Sequence, residues 1–143
     1  MDKLTLPCRC CVAGTADGIA LVSDVPISLW GGLNPETGEI IDRRHPLSGS
    51  DLTGRWLVVP HGRGSCSASG VFLEAANNGH APCGVIVSQP DPILGLGSIL
   101  ASELLGLSIP VLEVDPTVWS RIETGNRLAY DGRVLTLAGS SFR

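Results

Sequence analysis

No stretch of this chain runs far before a glycine or a proline interrupts it: 18 glycines and 10 prolines fall within 143 residues. Glycine opens backbone conformations that other residues avoid, and proline removes a backbone donor. Such a chain must be built from many short elements joined by tight turns. Its length suits a single domain, 1–143. Apolar residues make up 43% and charged residues 17%, which excludes a disordered chain and supplies a core that needs no covalent or metal staple. There is no internal repeat and no low-complexity tract.

Pattern and turn chemistry divide the chain in two. The first half reads as β: strands at 9–13 and 18–24 joined by the turn Gly14-Thr15-Ala16-Asp17, a short apolar run at 26–30 ended by Gly31-Gly32, the turn Asn34-Pro35-Glu36-Thr37-Gly38, a short strand at 39–42, a polar connector at 43–54, and a buried strand at 55–60 around Trp56-Leu57-Val58-Val59. The second half alternates. A helix from Ser65 or Ser67 to Asn77 is closed by Asn78-Gly79, and a strand follows at 83–88. A helix at 91–105 has Pro92 in its first turn and Gly106 after its end, and another strand follows at 109–114. A short helix at 116–123 is capped by Asp115 and stopped by Gly125. A hairpin, 127–130 and 133–137, turns at Asp131-Gly132. The expectation is an α/β fold of β/β/α type, with a β-rich, barrel-like N-terminal half followed by βαβαβ and a closing hairpin.

Charge and composition exclude several functions. The net charge is −4, and one Tyr and two Phe offer little for base stacking, so nucleic-acid binding is not expected. Asp, Pro or Gly interrupts every apolar run before membrane length. The opening residues lack the apolar core of a secretion signal, and five cysteines are an odd number, so the expectation is reduced thiols in the cytoplasm. Cys8-Arg9-Cys10-Cys11 has the wrong spacing for a zinc knuckle and reads as small buried residues on an N-terminal strand, with Cys8 and Cys10 on one face. No metal site is expected. Trp30, Trp56 and Trp119 read as core, or as interface if a partner exists.

Chemistry concentrates in Val58-Val59-Pro60-His61-Gly62-Arg63-Gly64-Ser65-Cys66-Ser67-Ala68-Ser69-Gly70, where a buried strand enters Gly-x-Gly-Ser and then a helix. Gly62 and Gly64 would permit positive φ and let a ligand approach the backbone. The helix start behind Ser65 presents unpaired N–H groups and a partial positive charge, which suit a carboxylate or phosphate and lower the cost of forming an alkoxide on Ser65. Arg63 and His61 would add positive charge. A plain structural role, with serine as an N-cap, fits the same residues. The stretch lacks the lysine ending of a P-loop, the second glycine of a nucleophile elbow and the glycine set of a dinucleotide fingerprint. A second constellation spans 28–47, where a long glycine- and charge-bearing loop offers Asp42, Arg43 and His45 to a polar ligand, or else forms a solvated turn.

Together these stretches resemble a known family. Ser-x-Trp-Gly-Gly-x-Asn-Pro-x-Thr-Gly-x-Ile-x-Asp-x-x-His-Pro-Leu at 28–47, Pro-x-Gly-Arg-Gly-Ser-x-Ser at 60–67, and Asp91-Pro92-Ile93-Leu94 opening the second helix are similar to the small subunit or domain of aconitase X, in matching order from about Gly14 to Val114. The resemblance implies a swivelling β/β/α domain that closes over a large subunit holding an iron–sulfur cluster. It implies dehydration of a small hydroxy acid: cis-3-hydroxy-L-proline in bacterial members, which the 63–67 and 91–94 stretches resemble more, or phosphomevalonate in archaeal ones. It assigns Ser65 the role of base, in the place of the serine of the Gly-Ser-Ser-Arg motif of ordinary aconitases and isopropylmalate isomerases. The carboxylate-gripping arginine of that motif is replaced here by Ser67, so the carboxylate would be held by the helix N-terminus, by Arg63 or by the large subunit.

The expected site is therefore Ser65 as catalytic base, with Gly62, Arg63, Gly64, Cys66, Ser67, Trp30, Gly31, Gly32 and His45 as substrate contacts. The chain itself is expected to bind no cofactor. The Trp30-Gly31-Gly32 loop is the expected contact with the large subunit. Two alternatives stand beside this: a phosphomevalonate dehydratase small subunit, and a non-catalytic module that binds an anion or carries a phospho group on His61.

Overall fold

The computed structural model describes residues 3–63 and 67–138. Eight strands form one sheet: β1 (Lys3–Leu6), β2 (Arg9–Val12), β3 (Ala16–Val22), β4 (Trp56–Val58), β5 (Gly84–Val87), β6 (Val111–Glu113), β7 (Arg127–Tyr130) and β8 (Leu135–Ala138). Their spatial order is β1-β8-β7-β3-β4-β5-β6-β2. Strands β3, β4, β5 and β6 run parallel, while β1, β8, β7 and β2 pair antiparallel. Strand β3 joins the two regions: 16–19 pair with β7 and 20–22 with β4.

The sheet cannot be flat. Its outermost strands β1 and β2 are joined only by Pro7 and Cys8, a link spanning about 11 Å at full extension. The edges of a flat eight-stranded sheet would stand about 33 Å apart. The sheet must curl towards itself, which is the barrel-like shape expected from the sequence.

Period-2 alternation fills both faces of the parallel strands. Leu21, Leu57, Val59, Val85, Val87 and Val111 point into one core. That core is closed by α1 (Ser67–Asn77) and α2 (Pro92–Leu105). Ala20, Trp56, Val58, Ile86 and Leu112 point to the other, where they meet Leu128, Tyr130, Leu135 and Leu137 of the antiparallel strands and Val118 of α3 (Pro116–Trp119). Trp56 is fully buried and its indole N–H donates to the Leu128 carbonyl at 2.9 Å, so its polar atom is satisfied across the inside of the curl.

Several boundaries differ from expectation. The strand placed at 18–24 begins at Ala16, because Ala16 and Asp17 pair with Tyr130 and Ala129 instead of turning. Strands β2 and β3 do not pair and lie far apart in the sheet order. Strand β1 is additional to the expected set. Segment 39–42 makes only the bridges Leu33↔Ile40 and Glu39↔Asp51. The last helix ends at Trp119, and 120 and 121 continue as a turn, well before Gly125. Cys10 and Cys11, expected to be buried, are exposed, because β2 is an edge strand paired only with β6. No helix among the described residues is long and apolar enough to cross a membrane.

Candidate active site at the end of strand β4

Strand β4 runs out through Val59 and Pro60 towards α1, and the backbone beyond it is held on three sides. The Pro60 carbonyl accepts the Ser88 and Gln89 N–H groups, each at 3.1 Å, extending the contact with β5. Gly62 forms a parallel bridge with Ile27, and the Arg63 N–H donates to the Ile27 carbonyl at 2.8 Å. The Gly62 N–H donates to Oδ2 of Asp91. Asp91 also caps α2: its Oδ1 accepts the Ile93 and Leu94 N–H groups at 3.1 and 3.2 Å. Gly62 and Arg63 after β4 are thus tied both to the 25–29 segment and to the start of α2.

Gly62 is not at positive φ, contrary to the expectation for it. Glycine is required there for space. A Cβ at this position would meet Asp91 Oδ2 at 2.7 Å and Leu94 Cδ1 and Cγ at 3.3 Å. His61 donates from Nδ1 to the Gly62 carbonyl at 2.6 Å, which leaves the proton on that nitrogen and Nε2 unprotonated in the neutral ring. The Arg63 side chain is exposed and, among the described residues, has no ion-pair partner.

Ser67 opens α1, and no acidic side chain stands in the first turn of that helix. At α2, by contrast, the Asp91 carboxylate already occupies the N-terminus. Of the two helices that cover this face of the sheet, α1 is the one whose positive end carries no acidic side chain of its own. Gly64, Ser65 and Cys66, expected as contacts and base, lie outside the described residues, as does the Ser67 side chain.

The second constellation separates into an exposed tip and a buried anchor. Trp30 is 66% exposed and Gly31 sits at φ +78°. Gly32 is buried, and a Cβ there would collide with the Ser28 carbonyl oxygen. His45 is only 5% exposed. Its Nδ1 accepts the Leu47 N–H at 3.1 Å and its Nε2 donates to the Val25 carbonyl at 3.0 Å. Both ring nitrogens are thus spent on backbone, and His45 holds the loop against the 25–29 segment. The structure brings Gly62 and Arg63 together beside that segment. Trp30 lies three residues beyond Ile27 on it, and His45 reaches it through Val25.

An apolar cleft of about 650 Å³ lies elsewhere, between α2 and β2, lined by Val12, Val87, Leu96 and Ile99 among others. Among the described residues, Asp91 joins it to Gly62. Among the described residues no group of three or more His, Cys, Asp or Glu side chains comes together to hold a metal ion. The residue the sequence reading underrated is Asp91. Asp-Pro signalled its cap, but its bond to Gly62, 29 residues away, left no local mark.

Comparison with known proteins gives a consistent set of relatives. Residues 5–137 match the sequence model of the aconitase X swivel domain. The cis-3-hydroxy-L-proline dehydratase of Pseudomonas aeruginosa is 44% identical over 124 residues, which cover 82% of this chain and 21% of that protein. The phosphomevalonate dehydratase small subunit of Methanothermobacter thermautotrophicus is 36% identical over 121 residues, covering 78% of this chain and 92% of the relative. The crystal structure of Thermococcus kodakaraensis aconitase X in its holo form superposes with a TM-score of 0.82 at 29% identity, covering 97% of this chain and all of that one. The chain thus spans about a fifth of the length of the hydroxyproline enzyme and nearly all of the archaeal small subunit.

Proposed function

Since this chain belongs to the aconitase X swivel-domain family, we propose that it supplies one half of the active site of a hydro-lyase, the other half coming from a large subunit or an equivalent domain. Our preferred substrate is cis-3-hydroxy-L-proline, on the 44% identity to the Pseudomonas enzyme. The observation that carries the reading is the anchored backbone at Gly62 and Arg63 leading into the N-terminus of α1, with Ser65 two positions after Arg63.

In this reading Ser65, as the alkoxide, takes the α-proton. The C–H bond breaks, a carbon–carbon double bond forms, and the β-hydroxyl departs as hydroxide, which becomes water on taking the proton from Ser65 and so restores the alkoxide. The resulting enamine tautomerises to pyrroline-2-carboxylate. The N–H groups opening α1 stabilise negative charge on Ser65 or on the substrate, and the exposed Arg63 guanidinium faces the carboxylate. Gly64, Cys66 and Ser67 are further substrate contacts in this reading, and the Trp30-Gly31-Gly32 tip meets the large subunit. His45 acts through the loop it holds. An iron–sulfur cluster in the large subunit would supply the Lewis acid for the leaving hydroxyl; this chain's part is proton removal and anion binding. We place the complex in the cytoplasm.

The test is an anaerobically co-purified complex of this chain with its large partner, assayed on cis-3-hydroxy-L-proline. Wild type turns over and Ser65→Ala falls at least about a thousandfold while still assembling. Full activity in Ser65→Ala would refute the base. The 92% coverage of the archaeal small subunit favours a second reading, phosphomevalonate dehydration. Turnover of phosphomevalonate but not hydroxyproline would select it. Phosphate transfer to His61, with Ser65 dispensable, would select a carrier role.

A further inference from the structure

We propose that Asp91 is a positioning residue that fixes the Gly62 backbone after β4 for the reaction; this rests on the reading that Ser65 is the base. A helix cap needs one carboxylate oxygen, and Asp91 uses Oδ1 alone to accept both Ile93 and Leu94 N–H groups. The second oxygen, Oδ2, leaves the helix and accepts the Gly62 N–H. Gly62 is built for this approach. Its φ is one any residue adopts, so what excludes a side chain is the 2.7 Å separation a Cβ would have from Oδ2. Pro92 at the first helical position presets the backbone behind the carboxylate. The Arg63 N–H to Ile27 bond fixes the other side of the same two residues. A charge-assisted bond between rigid elements is the kind of support that sets a reacting atom to within a fraction of an ångström.

Asparagine separates the two roles of Asp91. Its carbonyl oxygen keeps the cap, while its amide group sets a donor against the Gly62 N–H. In the assembled complex, Asp91→Asn lowers kcat about 10- to 100-fold and moves KM by less than about threefold. In the isolated full chain, the Gly62 amide loses its protection against hydrogen exchange while the amides of α2 keep theirs. Asp115→Asn, a cap on α3 with no bond to the turn, leaves both readouts unchanged. Unchanged kcat in Asp91→Asn, a Gly62 amide that stays protected, or joint loss of α2 protection would each overturn the proposal. If Ser65→Ala is as active as wild type, the functional reading and the kinetic part fall together. The Gly62 exchange measurement then decides by itself whether Asp91 holds the turn.

Discussion

At the scale of single residues, the main contrast lies between His45 and Arg63. Both stand in stretches that read as ligand-binding, yet one is buried with both nitrogens satisfied and the other projects an exposed guanidinium with no ion-pair partner among the described residues. Removing the imidazole would strand the Leu47 N–H and the Val25 carbonyl in a site closed to water. An unsatisfied buried group costs about 1–3 kcal/mol. His45→Ala is therefore expected to lower Tm by about 5–10 °C, with the KM of the folded complex unchanged. Arg63→Ala should do the reverse, leaving Tm in place and raising KM. Circular-dichroism melts run beside steady-state kinetics distinguish the two. A His45→Ala protein with normal Tm and raised KM would restore His45 to the substrate site.

At the scale of elements, α1 and α2 meet where Gly97 faces Phe72. A Cβ on Gly97 would stand 2.9 Å from Phe72 Cβ and Cγ, whereas one on Gly95 finds only Val12 Cγ2 at 3.8 Å. Alanine in a helix interior gains about 1 kcal/mol over glycine, and overpacking costs about 1–3 kcal/mol. Gly95→Ala should thus raise the urea midpoint and Gly97→Ala should lower it. Equal shifts would mean that the helices are not in this contact. The helices themselves were legible because their punctuation is local: Asp91-Pro92 and Gly106 bound α2, and Asn78-Gly79 close α1. The buried runs at Trp56-Leu57-Val58 and Val85-Ile86-Val87 marked parallel strands for the same reason. Edge position is not local. Nothing in Arg9-Cys10-Cys11-Val12 says that only β6 will pair with it, so its cysteines were misread as buried. The bond from Gly62 to Asp91 was hidden likewise, since its partners meet only once β4, α1, β5 and α2 are stacked.

At the scale of the whole molecule, curling the sheet encloses groups that prefer to stay protonated, Cys83 and Tyr130 with the largest shifts and Cys8 beside them. Burial pushes the Cys83 thiol, against Trp56 and Gly18, from its ordinary 9.0 up to about 12. Burial, helped by Cys10, Cys8 and Asp131, pushes the Tyr130 hydroxyl from 10.0 up to about 12. Cys8 and Cys10 come from the link between the two sheet edges and from β2, so the Tyr130 environment exists only when the edges approach. Unfolded chains release these protons near pH 9 and 10, while the folded chain keeps them. The folded state then binds more protons, and the unfolding free energy falls as pH rises. The stabilisation is fully present below pH 9 and is lost progressively between about 9 and 12. Urea midpoints of the reduced chain should accordingly hold level from pH 7 to 8.5 and drop steeply above it. Cys83→Ala removes one of these protons, so its midpoint should fall less steeply across that window even if it starts lower at neutral pH. Parallel slopes for the two proteins would mean that the fold does not enclose Cys83, and that the sheet closes less tightly than the two-residue link between its edges requires.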